Sequence, residues 1–168
     1  MFERDESAFV SRGQGYVLTI DANGNRALHA CLPPRLYDLV VATSGEPGHS
    51  FTIYNERTEV LQRLELPHDR HAADTDVTRQ VDRFTLRQIL LGGLSSQIHF
   101  RKAFVRYDED GDRVVAHFED GTSVEGDVLI GSDGIHSRVR QQLLPHAVVA
   151  DTSLRAIFGR TPLLTRGD

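Results

Sequence analysis

The run Gly126-Asp127-Val128-Leu129-Ile130-Gly131-Ser132-Asp133-Gly134-Ile135-His136-Ser137-Arg138-Val139-Arg140 decides how the rest of the chain is read. Val128, Leu129 and Ile130 are apolar β-formers between two glycine-containing turns, the pattern of a strand buried on both faces of a parallel sheet. Gly131 ends it. Asp133-Gly134 supplies a tight turn and Ser137 is placed to cap a helix. Val139, Leu143 and Leu144 give that helix one apolar side, and Pro145 closes it. The expectation is strand, acidic turn, helix. That order brings a carboxylate, glycine backbone and helix-start N–H groups to the carboxyl end of a parallel strand, where open α/β sheets bind their ligands. Taken alone, an Asp-Gly pair is only a turn, and Arg138 and Arg140 are only solvated helix charges.

The whole string is more specific than its parts. It resembles the Asp-Gly motif of the FAD-dependent aromatic hydroxylases, the class A flavoprotein monooxygenases of the p-hydroxybenzoate hydroxylase fold, in which Asp-Gly, Ser and Arg recur at this spacing. In that family the motif is implicated in both FAD and NAD(P)H binding. The resemblance puts Asp133, Gly134, Ser137 and Arg140 on its positions, with Gly131 ahead of them. The fold it implies is α/β: a partial FAD/NAD(P)-binding Rossmann-like parallel sheet with an antiparallel β-meander and part of a substrate-side sheet.

Composition is compatible with this and excludes other classes. A length of 168 residues suits one domain or part of a larger one. The formal net charge is −5 with both signs interleaved, so no basic block argues for nucleic acid. No apolar run is long enough to span a bilayer. Cys31 is the only cysteine, which excludes an internal disulfide and a CxxC metal pair. With an N-terminus that lacks a signal segment, a cytoplasmic setting is expected. Cys31 sits among apolar residues and reads as core.

At the start, Phe2 is followed at once by Glu3-Arg4-Asp5, as though a strand were ending. By composition alone this is a frayed terminus. In dinucleotide folds an acidic residue ends the second strand about 20 residues after the Gly-rich turn and takes the ribose hydroxyls. In the flavin hydroxylases that strand end commonly reads Glu-Arg, so the resemblance makes Glu3 the ribose acceptor with Arg4 beside it. It also implies that the Gly-x-Gly-x-x-Gly turn stands upstream of Glu3, outside this chain. Gly13-Gln14-Gly15 follows a polar loop, lacks the third glycine and reads as loop. Arg12, in the approach to the strand-like run 16–20, falls where related hydroxylases pass beside the flavin.

Further along, Asp21 caps a helix with Ala27, Leu28, Cys31 and Leu32 on its apolar side. Pro33-Pro34 stops it, and Pro34 starts the next through Leu36, Leu39 and Val40. Residues 51–55 and 60–66 read as two strands of a hairpin. His68-Asp69-Arg70-His71 with Asp74 and Asp76 has no further ligand at a diagnostic spacing and reads as a solvated loop, not a metal site.

Asp82-Arg83-Phe84-Thr85-Leu86-Arg87-Gln88-Ile89-Leu90-Leu91 is the second informative string. Asp82 suits an N-cap and Leu86, Ile89, Leu90 and Leu94 form the buried stripe, leaving Arg83 and Arg87 one turn apart on the other side. Two such arginines are ordinarily a wet face. The pattern nevertheless resembles the family helix whose arginine faces the flavin or its phosphates, with Arg83 the first candidate and Arg87 the second. A guanidinium suits the task because it stays charged and offers a planar fork of donors.

From Ile98 the period changes to two. Phe100, Phe104 and Val105 fall in one strand, Val114, Val115 and Phe118 in the next, then Val124, with turns at Asp110-Gly111 and Asp120-Gly121. This meander leads into the strand at Val128. Residues 153–164 read as one more strand.

Residues 1–168 are therefore expected to form a single partial FAD-binding domain, with 51–66 and 153–168 on its substrate side. The implied cofactor is FAD, with NAD(P)H as co-substrate and a small aromatic or polyketide-like molecule as substrate. In such enzymes the cofactor performs the oxygen chemistry while the protein positions it and excludes water, so no general acid or base is named. The chain is expected to be an internal piece, without the Gly-rich turn and the C-terminal Gly-Asp motif, and not competent alone. Two alternatives stand beside it. One is a non-catalytic flavoprotein remnant that pairs with another chain or with its own copy; the other is a flavin halogenase or isoprenoid reductase on the same scaffold.

Overall fold

The computed structural model describes residues 1–10, 16–45, 48, 50–65 and 73–157. Arg12, His68 to His71 and residues 158–168 lie outside them. The chain divides into two compact units, one within residues 11–92 and one formed by Met1–Val10 with Gly93–Ile157.

The first unit begins with strand β1 (Val17–Ile20), after which Asp21 caps helix α1 (Ala22–Cys31) by accepting the Gly24 N–H at 2.8 Å. Pro33-Pro34 separates α1 from α2 (Pro34–Thr43). Strands β2 (Ser50–Tyr54) and β3 (Val60–Glu65) form the expected antiparallel hairpin, and every residue of β3 is exposed. A further strand, β4 (Arg79–Asp82), pairs antiparallel with β1 in the register Ile20 to Arg79 and Val17 to Asp82. Its inward residues are Arg79 and Val81. An arginine at an inward position hides the period-two alternation by which a strand is read.

Asp82 ends β4 and caps α3 (Arg83–Leu91), its Oδ1 accepting the Thr85 N–H at 2.9 Å. The small core is Val40, Val81, Leu86 and Ile89, with Ile20, Leu28, Leu32 and Leu36 packed against it. Two expectations fail here. The helix stops before Gly92, so Leu94 lies beyond it and Leu90 stays 39% exposed, narrowing the buried stripe to Leu86 and Ile89. Cys31 is exposed, because α1 and its C-cap turn Leu28 and Leu32 to the core.

In the second unit, Phe2 makes a parallel bridge with His99. The Glu3 N–H donates to the His99 carbonyl and the His99 N–H to the Met1 carbonyl, both at 2.9 Å. The Phe2 ring lies 5.1 Å from the His99 ring and 4.9 Å from Phe118. Strands β5 (Phe104–Asp110), β6 (Arg113–Phe118) and β7 (Ser123–Gly126) form the meander, in order, all antiparallel. Its turns place Gly111 and Gly121 at φ of +61° and +81°, the left-handed region that glycine enters without steric cost. Tyr107, Ala116, Phe118 and Ile98 are buried. Phe100 precedes β5 instead of joining it.

Helix α4 (Arg138–Leu143) closes the unit. The run 128–130 departs from expectation: it belongs to no strand, and Val128 and Ile130 are 78% and 81% exposed. A strand buried on both faces requires neighbours to either side and layers above and below. No described residue pairs with this run. Among the described residues, the only parallel pairing is the bridge at Phe2. No strand is present over 151–157 either.

Candidate functional site: the Asp-Gly turn and the arginine helix

The turn into α4 is built by two side chains. Asp133 Oδ1 accepts the Ser137 hydroxyl at 2.5 Å, and its Oδ2 accepts the N–H groups of Arg138 at 2.7 Å and Val139 at 3.4 Å. Ser137 Oγ in turn accepts the Arg140 N–H at 2.9 Å. Partial desolvation would raise the Asp133 pKa, but the bonds from Ser137 and from backbone N–H groups outweigh it and hold the carboxyl below its usual range. The helix-start N–H groups expected to face a ligand are therefore taken by side chains. Asp133 shapes the turn.

Two glycines make the geometry work. A Cβ on Gly131 would lie 2.9 Å from Val139 Cβ and Cγ1, so only a glycine lets the incoming backbone come so close to α4. Gly134 sits at φ +81°, and open space surrounds the position its Cβ would take. Ser137, a buried residue, donates its backbone N–H to the Gly134 carbonyl.

The arginines of this segment differ. Arg138 reaches back across the unit to the Phe104 carbonyl at 3.0 Å and Glu119 at 3.2 Å, so it anchors α4 to the meander. Arg140 carries a buried Nε with no hydrogen-bond partner among the described residues. A buried cationic donor without an acceptor is costly, which marks it as a position able to take an anionic or carbonyl oxygen. A cavity of about 320 Å³ beside α4 is lined by Tyr107, Arg113, Val114, Leu129, Val139 and Leu143 among others. Neither Asp133 nor Arg140 lines it.

In the same unit, Glu3 is held by backbone pairing on both sides, its N–H to His99 and its carbonyl accepting from Lys102 at 2.8 Å. Its Oε1 accepts the Asp5 N–H at 3.1 Å. Arg4 is exposed. The other unit carries Arg83, exposed, and Arg87, half-buried, at the start and middle of α3. The Arg83 N–H donates to the Tyr16 carbonyl at 2.9 Å, tying the helix start to the residue before β1. Arg12 lies outside the described residues.

Two groups escaped the sequence reading. Gln142 on α4 donates to the Tyr107 carbonyl at 2.6 Å and accepts the Tyr107 N–H at 3.0 Å. Asn25, fully buried, sits at the centre of a polar cluster with Tyr37 and Arg79. Among the described residues no group of three or more His, Cys, Asp or Glu side chains is placed to hold a metal ion. No helix there is long and apolar enough to cross a membrane.

Comparison with known proteins gives the arrangement its family. No protein-family model matches the chain. It is 33% identical over 166 residues to the dual O-methyltransferase/FAD-dependent monooxygenase elcB of Phaeosphaeria nodorum, covering 96% of this chain and 18% of that protein. It is 38% identical over 170 residues to the FAD-dependent monooxygenase thnD of Trichoderma harzianum, covering 97% of this chain and 40% of that one. A candidate FAD-containing monooxygenase from Photorhabdus luminescens superposes with a TM-score of 0.68 at 31% identity, over 86% of this chain and 35% of its own. The fold is thus a portion of an FAD-binding monooxygenase fold. The chain belongs to the family of FAD-dependent monooxygenases and spans less than half the length of each of these relatives.

Proposed function

We propose that these residues form part of the cofactor-binding domain of an FAD-dependent monooxygenase. It acts on an aromatic or polyketide-like small molecule with NAD(P)H and O₂, in the cytoplasm. The observation that carries this is the 38% identity over 97% of the chain to a monooxygenase whose name includes its FAD dependence. The local chemistry supports it. Gly134 leaves open space at a left-handed turn, and Arg140, six residues on, holds a buried donor that has no partner among the described residues. Arg83 and Arg87 supply guanidinium forks on one helix.

In this reading the bound flavin supplies the redox chemistry. The chain's residues hold and orient it: Glu3 accepts the ribose hydroxyls with Arg4 beside it, and Arg12, Arg83 and Arg87 donate to phosphate or ring oxygens. Asp133, Gly134 and Arg140 form the turn against which the flavin or nicotinamide lies. Residues 1–168 contribute to one FAD-binding domain, with 51–66 and 153–168 on the substrate side. Charge-assisted hydrogen bonds contribute about 1.5 to 3 kcal/mol each, so a site made of only some of them binds FAD far more weakly than a complete one.

Reconstitution tests this. Placed in the Trichoderma harzianum relative instead of the matching stretch, the chain should yield a yellow protein that oxidises NAD(P)H. The chain by itself should do neither above the free-flavin background. A folded but colourless graft would overturn the function, and tightly bound flavin on the isolated chain would overturn the partial-site reading. A second reading, pairing with a further copy or another segment, draws on the exposed run at 128–130, which no described residue pairs with. Light scattering that finds only a stable monomer speaks against it.

A further inference from the structure

The polar cluster around Asn25 lies at one end of the β1–β4 pair, and Arg83 lies at the other. Asn25 is 0% exposed and Arg79 is 7% exposed. Asn25 Nδ2 donates to the carbonyls of Asp74 at 2.7 Å and Val77 at 3.1 Å. Its Oδ1 accepts from the Tyr37 hydroxyl at 3.1 Å and from Arg79 Nε at 3.3 Å. Arg79 directs its other donors to Ser44 Oγ at 3.1 Å and to the carbonyl and Oδ1 of Asp74 at 3.1 and 2.9 Å. One buried guanidinium and one buried amide thus tie together α1, the end of α2 and the segment leading into β4. Every hydrogen-bonding site on the Asn25 side chain has at least one partner, the condition under which a buried polar group specifies a single arrangement.

That cluster sits on a strand pair only four residues long. Arg79 faces Ile20 across the pair, and Ile20 precedes Asp21, the cap of the helix that carries Asn25. At the far end Val17 faces Asp82, the cap of α3, and the Arg83 N–H reaches the Tyr16 carbonyl. Four residues of strand span roughly 10 Å. A slip of one residue in so short a pair would turn Arg79 and Val81 outward and carry Asp82 to the other face, and within the pair apolar packing resists it only through Val81 and Ile20. We propose that Asn25 and Arg79 lock the register of the β1–β4 pair and so position Arg83 at its other end. Arg79 is a positioning residue in this account, acting through the strand pair. The further consequence for the cofactor rests on the proposed function; the lock itself does not.

Amide hydrogen exchange on the flavin-free chain tests it, because no cofactor is required. Arg79→Met should accelerate exchange at the Arg83 amide at least tenfold, while Ile89 within α3 and the β5–β6 amides keep their parent rates. Arg79→Lys should behave like Arg79→Met, since a single ammonium cannot reach Asn25, Ser44 and Asp74 at once. If Arg79→Met unfolds the unit, the same comparison is made with Asn25→Ser, which leaves the Arg79–Asp74 ion pair in place. Parent-like protection at Arg83 would overturn the lock. So would acceleration of Arg83 and Ile89 by the same factor, or full rescue by Arg79→Lys. Loss of FAD binding in an Arg83→Ala graft bears only on the cofactor reading, so the two failures are separable.

Discussion

Gln142 completes the open edge of the meander at Tyr107, giving and taking one hydrogen bond as a neighbouring strand would. Tyr107 is buried, and β5 pairs with β6 on its other side. Gln142→Leu would leave the Tyr107 N–H and carbonyl without those partners at a part-buried position. The expected cost is about 1 to 3 kcal/mol, read by urea denaturation. Gln142→Glu should retain the accepted bond and lose the donated one, falling between parent and Gln142→Leu.

Gly131 and Val139 are in a similar dependence. Gly131→Ala should destabilise the unit by roughly 1 to 3 kcal/mol, because a Cβ there meets the branch point of Val139 and backbone or helix must shift. Adding Val139→Ala should restore part of the loss by removing both Cγ atoms. Additivity of the two substitutions in a double-mutant cycle would refute the contact.

The depressed pKa of Asp133 gives a pH dependence with a definite sign. The unfolded carboxyl titrates near 3.9, so its contribution to stability is fully present above that value. It is lost as pH falls below it, through the lower folded value. Stability curves of the parent and Asp133→Asn should therefore diverge above about pH 4 and converge in stronger acid. Asp120 titrates separately: bonds from Lys102 and Thr122 lower its pKa to about 2, and carbon-detected NMR should find its midpoint there.

Thr58 holds a left-handed backbone at φ +62° in the turn between β2 and β3, where Asn55 Oδ1 accepts the N–H groups of Arg57 and Glu59. For a β-branched residue that conformation costs about 1 to 2 kcal/mol. Thr58→Gly should thus raise stability, by under about 1 kcal/mol after the added entropy of glycine in the unfolded chain. Thermal melts would show it as a small upward shift.

Local signals were legible wherever one residue sets one feature. Asp21 and Asp82 announce their helices, Pro33-Pro34 the break between two, and Asp110-Gly111 and Asp120-Gly121 the meander turns. Features that depend on distant partners were not. The run 128–130 has the composition of a buried strand, but its burial depends on neighbours that no described residue supplies. Strand β4 was hidden because one of its two inward residues is Arg79, which is hydrogen-bonded to Asn25 54 positions away. The Asp-Gly string did locate a real turn. What it could not show is that Asp133 directs its bonds into the turn itself.

Arg83 and Arg140 are each proposed to donate to the cofactor. The direct measurement is the FAD dissociation constant, by flavin fluorescence, of the chain grafted into the Trichoderma harzianum relative, with Arg83→Ala, Arg140→Ala and the exposed Arg35→Ala as control. Loss of one charge-assisted hydrogen bond predicts about 10- to 150-fold weaker binding at Arg83 and at Arg140, and no change at Arg35. Parent-like affinity in both Arg83→Ala and Arg140→Ala, in a folded graft, would contradict it.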